Sequence, residues 1–335
     1  MGKILYNQTV NPPIITTLSS VSIDSSNSSL TNYNKPLNTF LAVCNGSTIS
    51  VVSTNGIAWN QRTLPSSSQW RGVAYGNNTF VTLPWSGATA ASTSDGTTWT
   101  LRTMPASGFW GLSVGFGNNT FVAFSFTQTS AASSTDGITW TLRTLPAAGS
   151  FQAPIAFGNS VFAAISANNT TAVYSTDGIS WTLRTLPVSA DFRGLAFGNG
   201  VFAGVSGGSG NSTTAVSSTD GLTWTLRTLP VATTWMPVTF GNGVFSAISH
   251  GSAVAATSTD AITWTQRTLP ASAGWRWSAF GNGVFSIITD TNTTSASSTD
   301  GITWTLRTLP NTALKNWIGL GFGDPVVSVR PMDTI

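Results

Sequence analysis

Few residues in this chain could do acid–base or metal chemistry. Its 335 residues hold no glutamate, one histidine (His250), one cysteine (Cys44) and eleven aspartates. A lone cysteine permits neither an intrachain disulfide nor a thiolate metal centre, and Cys44 reads as a small buried hydrophobe. His250, beside Gly251, supports neither a histidine metal cluster nor a Ser-His-Asp arrangement. No metal and no cofactor is expected. Six aspartates (Asp95, Asp136, Asp177, Asp220, Asp260, Asp300) recur in one short motif, leaving Asp24, Asp191, Asp290, Asp324 and Asp333. Of these, only Asp191 and Asp290 fall in loops of the repeated region, two or three repeats apart. Glycoside cleavage needs two carboxyl groups about 5–9.5 Å apart. This inventory predicts no catalytic residues and no enzyme.

Binding is the chemistry that remains. Aromatic residues recur at Trp70, Trp110, Phe151, Phe192, Trp235, Trp275 and Trp317, each at the entry to a predicted strand. The residue that follows varies: Arg71, Gly111, Gln152, Arg193, Met236, Arg276 and Ile318. Aromatic faces beside Asn, Thr, Gln and Arg suit sugars, the ring packing on C–H bonds while the polar groups take hydroxyls. The same aromatics could instead cap the hydrophobic space between repeats. Trp85 and Trp277 stand outside the repeat and are candidate ligand residues for that reason. The candidate ligand set is Trp70, Arg71, Trp85, Trp110, Arg193, Trp235, Trp275, Arg276 and Trp277.

The elements that position these residues come from a repeat. Trp59, Trp99, Trp140, Trp181, Trp224, Trp264 and Trp304 are 40–43 residues apart, inside copies of Ser-Thr-Asp-Gly-Ile-Thr-Trp-Thr-Leu-Arg-Thr-Leu-Pro. Asn55 replaces Asp in the first copy and Ala261 replaces Gly in the sixth. A period of 40–45 residues holding several short strands is the signature of a propeller. In the copy after Asp191, strands are predicted near 192–197, 201–206, 212–219 and 223–228. The turns are Gly198-Asn199-Gly200 and Asp220-Gly221, and Leu229-Pro230 leaves the sheet for the next blade. Composition agrees: 11% aromatic, 7% charged, and Thr, Ser, Val and Phe broken by Gly and Asn.

The sequence thus predicts an all-β, seven-bladed β-propeller of four-stranded blades. Residues near 314–323 form a first strand with no second, and residues near 38–43 supply a second with no first. The N- and C-terminal strands should therefore share one blade. Residues 1–37 read as an extended N-terminal arm, 38–323 as the propeller and 324–335 as a C-terminal tail.

Ser-Thr-Asp-Gly-Ile-Thr-Trp resembles the Asp-box, the bacterial neuraminidase repeat, with one residue missing between Asp and Gly. The resemblance spans residues 38–323. It implies a propeller, but not an activity, since Asp-box propellers include sialidases, other glycoside hydrolases, assembly factors and non-enzymes. A sialidase would need a Tyr/Glu pair, and glutamate is absent. In style, the near-identical Thr/Ser/Asn-rich copies also resemble bacteriophage virion proteins. Location in a virion, or alternatively on a bacterial surface or outside the cell, is what that resemblance implies.

The seven Trp-x-x-Arg arginines (Arg62, Arg102, Arg143, Arg184, Arg227, Arg267, Arg307) read as packing or as hydrogen bonds to a neighbouring blade, because binding sites need asymmetry. The net charge of +3 has no cluster behind it, so nucleic-acid binding is not expected. The first ten residues lack a signal-peptide core, and no 18-residue apolar run exists, so no membrane insertion is expected. The leading expectation is a non-enzymatic virion protein (tail or surface component) that binds a host surface glycan or receptor through one propeller face. Its arm would dock on other virion proteins. The alternatives are a purely structural decoration protein and, more distantly, a glycoside hydrolase.

Overall fold

A computed structural model describes residues 38–111, 113–208, 210–310 and 316–323. The arm over 1–37 and the tail over 324–335 lie outside the described residues. Every named element is a β-strand, and the antiparallel sheets are arranged as a propeller.

The blade count is corrected: the strands form six sheets, not seven. Five have four strands each, and one has six, taking in Trp317–Gly323, Thr39–Ser53, Asn60–Gly76, Thr79–Pro84, Gly87–Thr93 and Thr100–Gly108. The seven sequence repeats remain, and two of them share the six-stranded sheet. One ladder pair accounts for this. Gln69 pairs with Asn45, so strand Asn60–Gly76 runs unbroken from one repeat into the next. At the equivalent place, Asp191, Thr234 and Gly274 belong to no strand, and each divides two sheets.

The first and last described strands meet in that six-stranded sheet. Thr39 pairs with Gly323, Phe40 with Phe322 and Ala42 with Leu320. A hairpin edge that either segment would expose alone is thereby covered.

Leu229-Pro230 stays within the sheet instead of leaving it, although strands Thr141–Thr144 and Thr305–Thr308 do end before their Leu-Pro. Strand Thr225–Thr233 continues through Pro230, and Thr233 pairs with Ser212 after a register shift. A bulge absorbs the missing N–H of proline. The leucine ahead of the proline is buried in every repeat (Leu64, Met104 in the second, Leu145, Leu186, Leu229, Leu269, Leu309).

The core lies between adjacent sheets. One cluster joins Ala203, Val205 and Leu229 of one sheet to Trp235, Phe245 and Trp264 of the next. The box tryptophans are buried there, each near the phenylalanine of its own repeat, as in Phe202–Trp224 at 6.2 Å. At the turn before each second strand, a glycine receives an aromatic ring from the following repeat. A Cβ on Gly198 would lie 2.0 Å from the ring of Phe240, and one on Gly158 would lie 2.1 Å from Phe197.

Two kinds of turn fill one face. In the Asp turns, Oδ1 of Asp220 accepts the N–H groups of Leu222 and Thr223 at 2.8 Å and the Ser218 hydroxyl at 2.9 Å. Gly221 takes φ 71°, and Ala261 is forced to 58° in its place. Burial alone would raise the Asp220 carboxyl. The N–H groups of Thr223 and Leu222 and the Ser218 hydroxyl outweigh it and hold the group below its ordinary value. Asn55 reproduces the geometry without charge, its Oδ1 accepting from Ile57 at 2.9 Å and Ala58 at 3.0 Å.

The second kind links repeats. Asn199 Nδ2 donates to Gly243 O at 3.1 Å and Thr259 O at 2.9 Å, both on the next repeat. Asn77, Asn118, Asn159, Asn242 and Asn282 make corresponding bonds, and Asn282 reaches Thr54 O at 2.7 Å. Each sits at positive φ, a conformation Asn tolerates.

The repeated arginines bond within their own sheet, not to a neighbour. Arg227 Nε donates to Ser217 Oγ at 2.9 Å, and Arg102, Arg143, Arg267 and Arg307 do likewise to the residue ten positions earlier. That residue is Val52 before Arg62 and Tyr174 before Arg184. Arg62 turns to its neighbour's carbonyl, and Arg184 lies over the Tyr174 ring at 4.8 Å.

Candidate ligand-binding face

The opposite face carries the strand entries and the loops between second and third strands. Both are held at equivalent places in each repeat. Trp85, Phe126, Ala167, Gly207, His250 and Asp290 each donate a backbone N–H to the residue just before a strand entry: Gln69, Phe109, Ser150, Asp191, Thr234 and Gly274, at 2.7–3.1 Å. This one backbone bond is thus repeated while the side chains and the loop lengths differ.

The entry tryptophans belong to the core. Trp70, Trp110, Trp235 and Trp275 have no exposed surface, and their indole N–H groups donate to carbonyls four residues earlier at 3.0–3.2 Å. Of the two readings weighed for them, capping the space between repeats describes where they sit. The other five candidates reach the face.

Those that follow the entries converge on the axis. Gln152, Arg193, Met236 and Arg276, from four successive repeats, line one mouth together with Trp277 and Pro237. It encloses about 480 Å³. Below it a shaft of about 660 Å³ is lined by first-strand residues, among them Val73, Val114, Leu195, Val238 and Leu320. Gln152, Arg193 and Arg276 bring polar groups to the mouth, whereas aliphatic side chains prevail along the shaft. Trp277 lines both, and its indole N–H is buried without a hydrogen-bond partner.

The charges are unevenly satisfied. Arg193 forks onto Asp191, Nε to Oδ1 at 2.7 Å and Nη2 to Oδ2 at 3.0 Å, and its Nη1 donates to Gln152 Oε1. Asp191 is almost completely buried, so this pair fixes the loop. Arg276 holds Asp290 more loosely at 3.3 Å, and His250 Nε2 meets the other carboxylate oxygen at 3.3 Å. Burial pushes Asp290 up, but the His250 hydrogen bond and the charges of Arg276 and His250 prevail and leave it below the ordinary carboxylate value. Arg71 has no carboxylate among the described residues. Its guanidinium carbon lies 4.3 Å over the Trp85 ring, and its Nε is buried without a partner. Burial, then repulsion from Arg276, holds the Arg71 guanidinium below its usual value.

Sequence reasoning found the ring of variable positions, with Phe126 in one of the variable loops, but its candidate ligand set omitted Phe109 and Phe126, which pack against Trp85 at 5.4 Å each. The signal was present: position 126 is the repeat equivalent of Trp85. Among the described residues no group of three His, Cys, Asp or Glu is arranged to hold a metal.

No family model and no curated protein matches the sequence. Solved structures do share the fold. Virginiamycin B lyase from Staphylococcus aureus is similar at TM-score 0.64 and 13% identity, covering 72% of this chain and 85% of the lyase. YCF48 bound to D1 peptide is similar at TM-score 0.57 and 20% identity, over 73% of this chain and 82% of that one. AztD from Citrobacter koseri is similar at TM-score 0.51 and 12% identity, over 85% and 87%. The first of these overturns the exclusion of an enzyme, since the architecture this chain shares is also that of a lyase, and it assigns no activity to the chain. At these identities the likeness shows the fold, a β-propeller of four-stranded blades, and nothing finer.

Proposed function

We propose that the loop face binds a polar ligand of saccharide class at the axial mouth, as a virion protein engaging a host surface glycan. The observation that carries this reading is the convergence of Gln152, Arg193, Met236 and Arg276. They are equivalent positions of the repeat, Arg193, Met236 and Arg276 within first strands and Gln152 ahead of one, and they differ where the repeat demands no difference. A concave mouth with a few converging polar groups above apolar walls is the usual form of a small-ligand site. The amide of Gln152 and the guanidinium groups of Arg193 and Arg276 supply donors for hydroxyl oxygens. The half-buried Trp277 indole supplies an apolar face. The virion setting rests on the style of the repeats.

A glycan array of host-surface saccharides tests the proposal. Wild-type chain should bind a restricted set, and a Gln152→Ala/Arg276→Ala variant should lose that binding while unfolding at nearly the same temperature. Binding that survives this change but is lost when the Asn turns of the opposite face are altered would place the site on the wrong face.

A further inference from the structure

Beyond the mouth, one sector of the loop face differs from all the others. At the ring of equivalent positions that share the backbone bond described above, the fifth, sixth and seventh repeats carry Asp191, His250 and Asp290. The second and third carry Trp85, Phe109 and Phe126 instead. The three rings touch, with Trp85 at the centre, 5.4 Å from each phenylalanine and tilted by 44–50°. Phe109 is 38% exposed, and Trp85 and Phe126 are half-buried. We propose that this aromatic ledge is a second subsite, off the axis, that stacks a neutral sugar ring. It rests on the saccharide reading of the mouth and extends it to a ligand longer than one residue.

The ledge is built rather than incidental. The buried Ser125 hydroxyl accepts the Phe109 N–H at 3.2 Å, and Phe126 N–H donates to Phe109 O at 2.9 Å. Thr127 then takes φ 59°, unusual for a residue branched at Cβ, with its N–H held by Gly149 O at 3.2 Å. These bonds fix the two phenylalanines while leaving one of them open to solvent. Arg71 fixes the tryptophan from the other side, stacked on its ring.

The chemistry around the rings selects the occupant. Ser86, Ser107, Thr127 and Gln128 are exposed in the segments that carry them. Hydroxyls and an amide beside an apolar platform match a sugar, whose C–H face lies on the rings while its hydroxyls meet the polar groups. Arg71, unpaired by any described carboxylate, adds donors at the edge. A protein partner is a poorer fit, since a stable interface covers about 800 Å² on each side and three rings are a small fraction of that. Arg71 also joins ledge to mouth, because it stacks on Trp85 and lies close enough to Arg276 to feel its charge.

Calorimetric titration of the full chain with maltohexaose and with the hexamer of N-acetylglucosamine, both uncharged, provides the test. At least one should bind. Phe109→Ala should weaken that binding about tenfold or more, near 1.4 kcal/mol, and Phe109→Tyr, which keeps the ring, should restore it. Equal unfolding temperatures of the three proteins show that the fold is intact. Binding of neither probe overturns the proposal, as does binding unaffected by Phe109→Ala. If Arg276→Ala abolishes binding and Phe109→Ala does not, the ledge falls and the mouth stands. The reverse pattern keeps the ledge and removes the mouth.

Discussion

On the turn face, Asn77, Asn118, Asn159, Asn199, Asn242 and Asn282 stand in one backbone conformation and make one kind of bond, each to the next repeat. On the loop face, positions related by the same repeat hold Trp85, Phe126, Ala167, Gly207, His250 and Asp290. One backbone bond recurs on the loop face too, although its loops differ in length, from two residues between Pro84 and Gly87 to five between Phe124 and Ser130. Side chains on the first face join repeats to each other, and any exchange there breaks a link. Side chains on the second project from a backbone that already bonds itself, so they are released from holding the ring. The difference teaches that side chains free of linking the repeats are found on the loop face, and those of the Asn turns are not among them.

Substitutions sharpen this contrast, and the largest effects belong to the space between sheets. Trp235→Ala removes a fully buried indole and its hydrogen bond to Val231 O, and should cost about 3–5 kcal/mol in a denaturant titration. Gly198→Val drives a side chain into the Phe240 ring and should cost about 1–3 kcal/mol or more through forced displacement. A loss under 0.5 kcal/mol in either would mean the sheets slide more freely than their packing implies.

Asn199→Ala should cost about 1 kcal/mol, the worth of two exposed bonds less their hydration, plus strain at φ 46°. Asn199→Gly keeps the conformation and removes only the link, so the difference between the two measures each part.

Asp220→Asn should change stability at neutral pH by no more than about 0.5 kcal/mol, because Asn55 already fills that role in the first repeat. Its mark is in acid. Asp95, Asp136, Asp177, Asp220, Asp260 and Asp300 all have folded values lowered from 3.8. The stability they contribute is present above that value and is lost as the pH falls through their lower folded values. Acid unfolding followed by tryptophan fluorescence should therefore shift slightly to lower pH with each Asp→Asn exchange.

Arg276→Ala should have the smallest effect on folding, since Asp290 keeps His250 as a partner. A drop in unfolding temperature comparable with that of Asn199→Ala would show that the loop face is structural after all.

Much of this was legible in the chain. The spacing of the Trp boxes marks the repeats, and the half-motifs near 38–43 and 316–323 mark the closure, because both signals are local and repeated. The sheet count was not legible. It turns on the single pair Asn45–Gln69, and nothing in either residue type distinguishes it from Asp191 or Thr234, which stay unpaired in the ladders. The candidate site divided along a similar line. Arg193 and Arg276 were visible as departures from the repeat. The fate of the entry tryptophans depended on a backbone path through the preceding proline, which brings the carbonyl four residues back under the indole N–H.

The pairing of Thr39–Cys44 with Trp317–Gly323 also has a consequence in time. On the ribosome the first of these segments emerges early and its partner last, with nearly all of the ring made between them. At about 5–20 residues per second, the wait is on the order of tens of seconds. Throughout it, Phe40, Leu41, Ala42 and Val43, wholly enclosed in the finished molecule, have an open strand edge beside them. The nascent chain thus carries this segment unprotected while the residues between the two strands are made, and a slow translation rate or a pause near residue 300 would lengthen that exposure. Yield of soluble protein should therefore depend on elongation speed more steeply than the stability of the completed ring would suggest.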